Sequence, residues 1–389
     1  MPTAAPSAAP SAAPSAAPAT ATAPTTPQTR VWDLFVRVFH WSLVLSVALA
    51  AASGFLLESR ILLIHISAGL AAAALISARI VWGFTGTTYA RFAEFVPGPG
   101  AIREHLAGGN RHLGHNPLGA LMVLALVVLV LALAATGLVV LGGVDKSGPF
   151  APWVSYAQGS GVLGLHEALA FGILALVAMH FAGVIFESRR SHENLTRAMV
   201  TGVKERRPGD HASAPRNAHP TLAVVIIGAL AAGAWGVTAS QAARPVPGLP
   251  VATLDATYKS TCSECHIAYN PSLLPAAAWQ GIMAGLKDHF GENASISAAE
   301  AETITAWLTA NAAETADTKV AHRLAARITE APFAMTEQRY WKRLHAEIPE
   351  AVFASRAVGA RSNCAACHGD AEQGRFSPFA IDLPKETLK

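Results

Sequence analysis

Two short cysteine and histidine motifs carry the clearest chemistry in the sequence, and they contain all four cysteines of the chain. They are Cys262-Ser-Glu-Cys265-His266 and Cys364-Ala-Ala-Cys367-His368. Cysteines at this spacing can form thioether bonds to the vinyl groups of a haem, whose iron the adjacent histidine then binds. A thioredoxin-like dithiol would need a βαβ context that the sequence lacks, and Cys-x-x-Cys pairs about a hundred residues apart form a zinc site less readily. The motifs therefore predict two covalently bound haems c.

Each haem c needs a second axial ligand, and the residues alone leave several candidates open. The remaining histidines of this region are His289, His322 and His345, and the remaining thioethers are Met283 and Met335. Two histidines would favour a lower reduction potential than histidine with methionine. His289 follows the first motif histidine by 23 residues and His345 precedes the second by 23, which does not fix the pairing. We interpret Met283 as core packing and His322 as a solvated residue.

Four more histidines lie inside long apolar segments, where a polar ring is costly and by default indicates function. They are His40, His65, His166 and His180. The last two are 14 residues apart, which on a helix is within about 40° of one face and about 21 Å along the axis. His40 and His180 are expected at one depth in the membrane and form the inner pair. His65 and His166 are expected at the other depth and form the outer pair. The sequence thus predicts two bis-histidine sites for non-covalent haem b.

Two further residues fit this arrangement. Gly54 lies 14 residues after His40, and its missing side chain would let the outer porphyrin approach the helix. Arg79 lies 14 residues after His65 and is a cation suited to the propionates of the inner haem. We interpret the loop histidines His105, His112 and His115 as solvated or interfacial rather than as metal ligands.

The elements that must position these residues are five apolar segments, each long enough to span a bilayer as a helix. They are Val38–Leu57, Ile61–Trp82, Leu118–Leu141, Gly161–Phe186 and Thr221–Ala243. A chain that is 52% hydrophobic and only 14% charged is not an ordinary cytosolic enzyme. A net charge of +3 is too small to indicate nucleic-acid binding.

The basic residues predict the orientation. Residues 187–220 hold seven lysines and arginines, whereas the turn after the first segment has only Arg60 and the loop after the third only Lys146. The positive-inside rule places residues 83–117 and 187–220 in the cytoplasm. Everything after residue 243 then lies in the periplasm, and the chain is a multi-pass protein of the bacterial inner membrane.

These patterns predict an all-α fold in five parts. Residues 1–30, rich in Ala and Pro, form a disordered tail, and residues 31–205 form a four-helix membrane domain. Residues 206–243 contain a cytoplasmic linker and a fifth transmembrane helix. Residues 244–254 form a Pro-rich spacer, and residues 255–389 form a mainly helical periplasmic domain.

Residues 31–205 resemble the bacterial cytochrome b561 and nickel-iron hydrogenase b-type cytochrome family. The matching motifs are Arg37-Val-Phe-His40-Trp41, His65 with Gly69, Arg79-Ile-Val-Trp82-Gly83, Tyr89-Ala-Arg91-Phe92, Gly114-His115-Asn116-Pro117-Leu118-Gly119, and His166 with His180. This resemblance implies a four-helix bundle that carries two haems b and exchanges electrons with quinone or a partner subunit. The fifth helix departs from the family pattern, and we interpret it as a tether.

Residues 255–389 resemble the dihaem cytochrome c family through both haem motifs, His289-Phe290-Gly291, and Asn363 before the second motif. This resemblance implies two haems c with histidine as both axial ligands. It therefore implies His289 and His345 as the distal ligands.

Our leading hypothesis is transmembrane electron transfer. A membrane donor, for which we expect quinol, reduces the haem b pair, and electrons pass through the haems c to a periplasmic haem protein, which would make the chain a quinol:cytochrome c oxidoreductase. We predict no set of catalytic side chains and no nucleic-acid partner, and an oligomer is compatible with the sequence. The alternative is a haem-bearing anchor and electron-transfer subunit of a larger oxidoreductase such as a hydrogenase. A third hypothesis is haem-based redox sensing with residues 187–220 as the output.

Overall fold

The computed structural model describes residues 27–55, 61–108, 111–208, 210, 213–323, 328 and 333–384. Helices form nearly all of its regular structure, which confirms the all-α prediction. The described residues contain one small antiparallel sheet, in which β1 (Gln28–Arg30) pairs with β2 (Val203–Glu205). Of the predicted disordered tail, residues 1–26 lie outside the described residues, and the prediction is wrong for Gln28–Arg30, which form β1.

Five helices are long and apolar enough to cross a membrane, as predicted. They are α1 (Leu34–Phe55), α2 (Leu62–Thr85), α3 (Pro117–Val144), α4 (Tyr156–Arg190) and α5 (Pro220–Ala242). Shorter helices at Phe92–Phe95, Pro99–Leu106 and Leu195–Thr201 lie in the connections. Many large apolar side chains on the long helices are exposed, which suits a surface in contact with lipid.

Local signals explain where two of these helices begin. The Asn116 side chain accepts a hydrogen bond from the Gly119 amide at 2.7 Å, and Pro117 occupies the first position of α3. Ser155 and Gln158 form a reciprocal capping box at the start of α4. Helix α3 therefore begins at the edge of its apolar segment, whereas α4 begins several residues before its own.

Close packing joins the helices into a bundle. Helix α3 packs along α4, and α2 contacts α1, α3 and α5. A β-carbon on Gly143 of α3 would lie only 2.6 Å from the Cα of Gly159 on α4, so this crossing requires glycine. A core of Ala72, Ile76, Val130 and Ile173 lies between α2, α3 and α4.

The loops that the charge pattern predicts on the same side of the membrane lie together at one end of the bundle. The β1–β2 pairing joins the chain before α1 to the segment after α4. Arg111, from the loop before α3, forms ion pairs with Glu193 and Asp210. Lys204 is buried against Glu193 at 3.3 Å. These contacts place residues 83–117 and 187–220 together at one end of the bundle.

The C-terminal domain is built from short helices around a compact core. Its helices are α6 (Ala256–Cys262), α7 (Ala276–Ala284), α8 (Ala298–Ala310), α9 (Lys319–Arg323), α10 (Arg339–Leu344) and α11 (Glu350–Phe353). Tyr258, Trp279, Ile304 and Leu308 form the centre of the core, and Met283 packs against it as interpreted. In the second motif, Cys364 begins a 3₁₀ turn, Cys364–Ala366, and Cys367 follows directly after it.

Candidate haem sites

The structure brings eight histidines together as four pairs with almost identical spacing. The ring centroids lie 6.4 Å apart for His40 and His180, 6.1 Å for His65 and His166, 6.1 Å for His266 and His289, and 6.3 Å for His345 and His368. A metal about 2 Å from each imidazole nitrogen, with the nitrogen about 1 Å from the ring centre, separates two centroids by about 6 Å. Each pair is therefore spaced to hold one iron between its rings.

The ring positions show which motif histidine lies opposite each of the two distal candidates, and their role as iron ligands stays a prediction. His289 faces the first motif histidine, and His345 faces the second, so each distal candidate pairs with the motif nearest to it in sequence. His322 instead stacks on Tyr156 and bonds to Asp317. Met335 packs against the core of the C-terminal domain, like Met283.

The Nδ1 atoms of His65 and His166, the outer pair of the membrane domain, both make hydrogen bonds. His65 Nδ1 lies 2.9 Å from the carbonyl oxygen of Ala50, which can only accept, so Nδ1 carries the proton. His166 Nδ1 lies 2.9 Å from Thr136 Oγ1, whose own proton is donated to Ala132 O at 2.8 Å. Both rings thus keep a free Nε2 lone pair, which is the orientation that a bis-imidazole metal site needs.

Two glycines lie against these same rings. A β-carbon on Gly54 would lie 3.1 Å from His65 Cε1, and one on Gly137 would lie 3.3 Å from His166 Cε1. The structure therefore gives Gly54 a contact with the candidate ligand itself. Its predicted role, to make room for a porphyrin, stays a prediction.

Arg79 is a buried cation whose side chain has no hydrogen-bond acceptor within the described part of the chain. The residue is 3% exposed, and its Nη1 is fully shielded. Its guanidinium lies over the rings of Phe92 and Phe95, at 5.4 and 5.6 Å. A buried guanidinium without an acceptor is costly, and a carboxylate such as a haem propionate would satisfy its donors. The residues present thus fit the group that the sequence predicts.

The sequence interpretation of His115, which precedes α3, as solvated or interfacial did not anticipate the contacts of its ring. Its ring contacts Trp32 and Phe95 at 4.8 and 4.5 Å, and its buried Nδ1 has no partner among the described residues. Burial, together with the positive charges of Arg79 and Lys204, lowers the pKa of His115 to about 3, so the ring is neutral. The signal available was its place directly before Asn116-Pro117, because the residue before a helix cap is packed under the helix end.

A cavity of about 310 Å³ opens beside His115 and is also lined by His105 and His112. His112 is exposed, as interpreted from the sequence. Of the two alternatives for His105, solvated or interfacial, the solvated one is wrong, because the residue is only 5% exposed.

In the C-terminal domain, local backbone turns present the candidate ligands. The His289 and Glu292 backbones exchange two hydrogen bonds, at 2.7 and 3.2 Å, around Phe290 and Gly291, which both have positive φ. His345 Nδ1 lies 2.9 Å from Trp341 O, and its ring stacks on Trp341 at 4.2 Å. His266 Nδ1 lies 2.7 Å from Ile267 O. The Nδ1 contacts orient the rings of His266 and His345, as they do for His65 and His166 in the membrane domain.

Comparison with known proteins agrees with this division of the chain. Residues 31–202 match the family model of prokaryotic cytochrome b561, and residues 258–376 match that of dihaem cytochrome c. No curated protein matches the chain. A diheme cytochrome c from Rhodobacter sphaeroides is 40% identical over 32% of this chain and 98% of its own length, with a TM-score of 0.28. The diheme cytochrome c sb-DHC from Shewanella baltica OS155 is 35% identical over 33% of this chain and 93% of its own, with a TM-score of 0.28.

A bundle of apolar helices with half-buried histidine pairs, joined to a domain with two haem-attachment motifs, defines an integral membrane electron-transfer protein. The chain contains a prokaryotic cytochrome b561 domain at residues 31–202 and a dihaem cytochrome c domain at residues 258–376. Its cofactors are accordingly haem b and haem c, and its function is transmembrane electron transfer.

Proposed function

We propose that this chain conducts electrons from quinol in the membrane through two haems b to two haems c, and then to a small haem protein in the periplasm. The observation that carries the proposal is the set of four histidine pairs, with ring centroids 6.1 to 6.4 Å apart. Four equivalent sites in one chain, two in each domain, are what a four-haem path requires. Bound haem supplies reversible one-electron chemistry, because its iron has two stable oxidation states.

The residues of the chain hold and tune these groups. We assign the axial ligands to the eight paired histidines, and the thioether bonds to Cys262, Cys265, Cys364 and Cys367. Arg79 neutralises a propionate of the inner haem b, and the neutral ring of His115 is placed to donate a further hydrogen bond there. Gly54 and Gly137 keep space beside the rings of the outer pair. None of these residues transfers a proton or forms a bond during conduction.

The arrangement of charge supports a periplasmic C-terminal domain. That domain contacts Lys146 and Tyr156, at the connection between α3 and α4. The basic segment 187–220 packs at the opposite end of the bundle, beside residues 83–117. By the positive-inside rule the basic end faces the cytoplasm of an inner membrane. Electrons then cross most of the bilayer between the His40 and His65 levels.

The haem content tests the core of the proposal. A pyridine haemochrome spectrum of the purified protein should show two haems b and two haems c per chain. His180→Ala should lose one haem b and keep both haems c, because it removes one ligand of the inner pair alone. His112→Ala, an exposed histidine outside the pairs, serves as the control and should keep all four. Two haems c without any haem b, in protein extracted under mild conditions, would contradict the proposal.

The donor is tested separately on the intact purified chain. We expect a short-chain quinol to reduce the b-type absorbance first and the c-type absorbance afterwards. No reduction by quinol, together with co-purification of a large catalytic subunit, would instead favour the anchor subunit of a larger oxidoreductase.

A further inference from the structure

A second cluster of polar contacts lies away from the histidine pairs, where the C-terminal domain meets the membrane domain. We call it the docking surface. Its members are Lys146, Tyr156, Gly248, Asp317, His322 and Arg323. They come from the α3–α4 connection, the spacer and helix α9 with the residues before it. Neither domain model includes all of these segments, so the domain families do not account for this contact.

Asp317 is the centre of the docking surface. Its Oδ2 accepts hydrogen bonds from Lys146 Nζ at 2.5 Å and from the Tyr156 amide at 2.9 Å, both in the membrane domain. Its Oδ1 lies 3.0 Å from His322 Nε2, and its own amide donates to Gly248 O at 2.7 Å. One residue therefore ties together three segments that are far apart in sequence.

Aromatic and hydroxyl contacts extend the surface beyond this carboxylate. The Tyr156 ring stacks on His322, with centroids 4.6 Å apart and planes at 16°. Arg323 Nε donates to the Tyr156 hydroxyl at 2.7 Å. Because the tyrosine ring and its backbone amide both bind the C-terminal domain, the start of α4 is held at several points.

Burial shows that the contact is closely fitted. The Lys146 side chain is only 4% exposed, and Asp317 is its sole ion-pair partner in the described part of the chain. A buried ammonium needs such a partner, because removing one member of a buried pair costs more than the pair itself gains. Gly248 has φ +72°, and a β-carbon there would lie 2.4 Å from Asp317 Cβ. The spacer thus lies directly against the same residue.

We propose that the docking surface holds the C-terminal domain on the membrane domain in one fixed arrangement in the membrane-bound protein. The spacer, residues 244–254, is then fixed in position and does not let the C-terminal domain move freely. This inference goes beyond the proposed function, which requires only that the C-terminal domain lie on the correct side of the membrane.

Hydrogen–deuterium exchange on the full-length, haem-loaded chain in nanodiscs tests the proposal. Lys146→Ala changes only the membrane domain, yet it should speed amide exchange in residues 313–323 of the C-terminal domain by roughly tenfold. Asp317→Ala should have the reciprocal effect on residues 146–160. Glu302→Ala, an exposed acidic residue of α8 outside the docking surface, is the control and should change neither segment.

Each outcome decides the proposal. Faster exchange in the unsubstituted domain supports a fixed docked arrangement. Exchange that changes only within the substituted domain overturns it, since the contact would then not link the domains. Haem spectra of each variant, compared with the parent chain, show whether both domains remain folded. Because exchange is measured without a donor or acceptor, the result is independent of whether quinol reduces the protein.

Discussion

At the scale of the residue, Arg79 shows how a single side chain can reveal an absent partner. A guanidinium has five donors, and this one is buried under Phe92 and Phe95 with no hydrogen-bond acceptor among the described residues. Two phenyl faces offset part of the cost of burying the cation, but they do not replace an anion. The residue is therefore suited to hold a bound anion.

Arg79→Gln should lower the midpoint potential of one haem b. A nearby cation favours the reduced haem, which carries one positive charge fewer, so its loss favours the oxidised form. We expect a shift of about 50 mV, close to the 59 mV that corresponds to a tenfold change for one electron. Redox titration followed at the b-type absorbance measures it. Arg103→Gln, at an exposed position of the short helix Pro99–Leu106, should leave all potentials unchanged, and an unshifted Arg79→Gln would disprove the assignment.

The sequence singled out Arg79 but not Thr136 or the contacts of His115, for a physical reason. Fourteen residues bring a helix back to nearly the same face, so positions on one helix can be related by counting. Thr136 contacts His166, and His115 contacts Phe95, on which Arg79 lies. Both come from other segments, and no periodicity relates those segments to a candidate ligand. Their roles depend on how α3 and its preceding loop pack, which counting along one helix does not supply.

At the scale of the element, each candidate b site is shared between helices. Helix α4 contributes one ring to each membrane pair, while α1 and α2 contribute one each. The apolar segments predicted these helices, although α4 begins at Tyr156 and ends at Arg190, beyond the predicted Gly161–Phe186. Hydropathy marks the part in lipid, whereas the capping box and the basic last turn decide where the helix ends.

Gly54→Val should weaken the outer haem b site. The added β-carbon would lie 3.1 Å from His65 Cε1, and its methyl groups would press the ring away from Ala50 O. We expect the haemochrome to fall from two haems b to about one, with both haems c retained. Gly233→Val on α5, where a β-carbon meets nothing within 4 Å, is the matched control. Full haem b content in Gly54→Val would show that the ring tolerates the displacement.

At the scale of the whole molecule, the two domains are joined by contacts that no sequence pattern predicts. Lys146 and Asp317 are 171 residues apart, and each alone is an ordinary charged residue of a polar segment. The charge distribution predicted which loops share a side of the membrane, but charge counts do not specify contact partners. Domain order was thus accessible from the sequence, whereas the docked arrangement required the structure.

If docking fixes the separation of the b and c sites, then Asp317→Ala should slow electron transfer between them. Tunnelling rates fall steeply with distance, so a domain released from its docked position spends less time within reach. Stopped-flow reduction should show unchanged arrival of electrons at the b haems and an appearance of reduced haem c slower by roughly tenfold. Glu302→Ala should match the parent chain, and equal rates in Asp317→Ala would mean that the spacer alone positions the domain.

The same interface should be insensitive to pH until strongly acid conditions. Partial burial opposes ionisation of Asp317, but hydrogen bonds from Lys146, the Tyr156 amide and His322 outweigh it and hold the pKa of this carboxyl below its usual value. A lowered carboxyl pKa contributes stability that is fully present above the unfolded value of about 3.9 and is lost as the pH falls through the folded pKa. The rate of electron transfer from the b haems to the c haems should therefore differ between the parent chain and Asp317→Ala down to about pH 4, and the difference should vanish only below that pH. A loss of that difference already between pH 6 and 5 would show that another group controls docking.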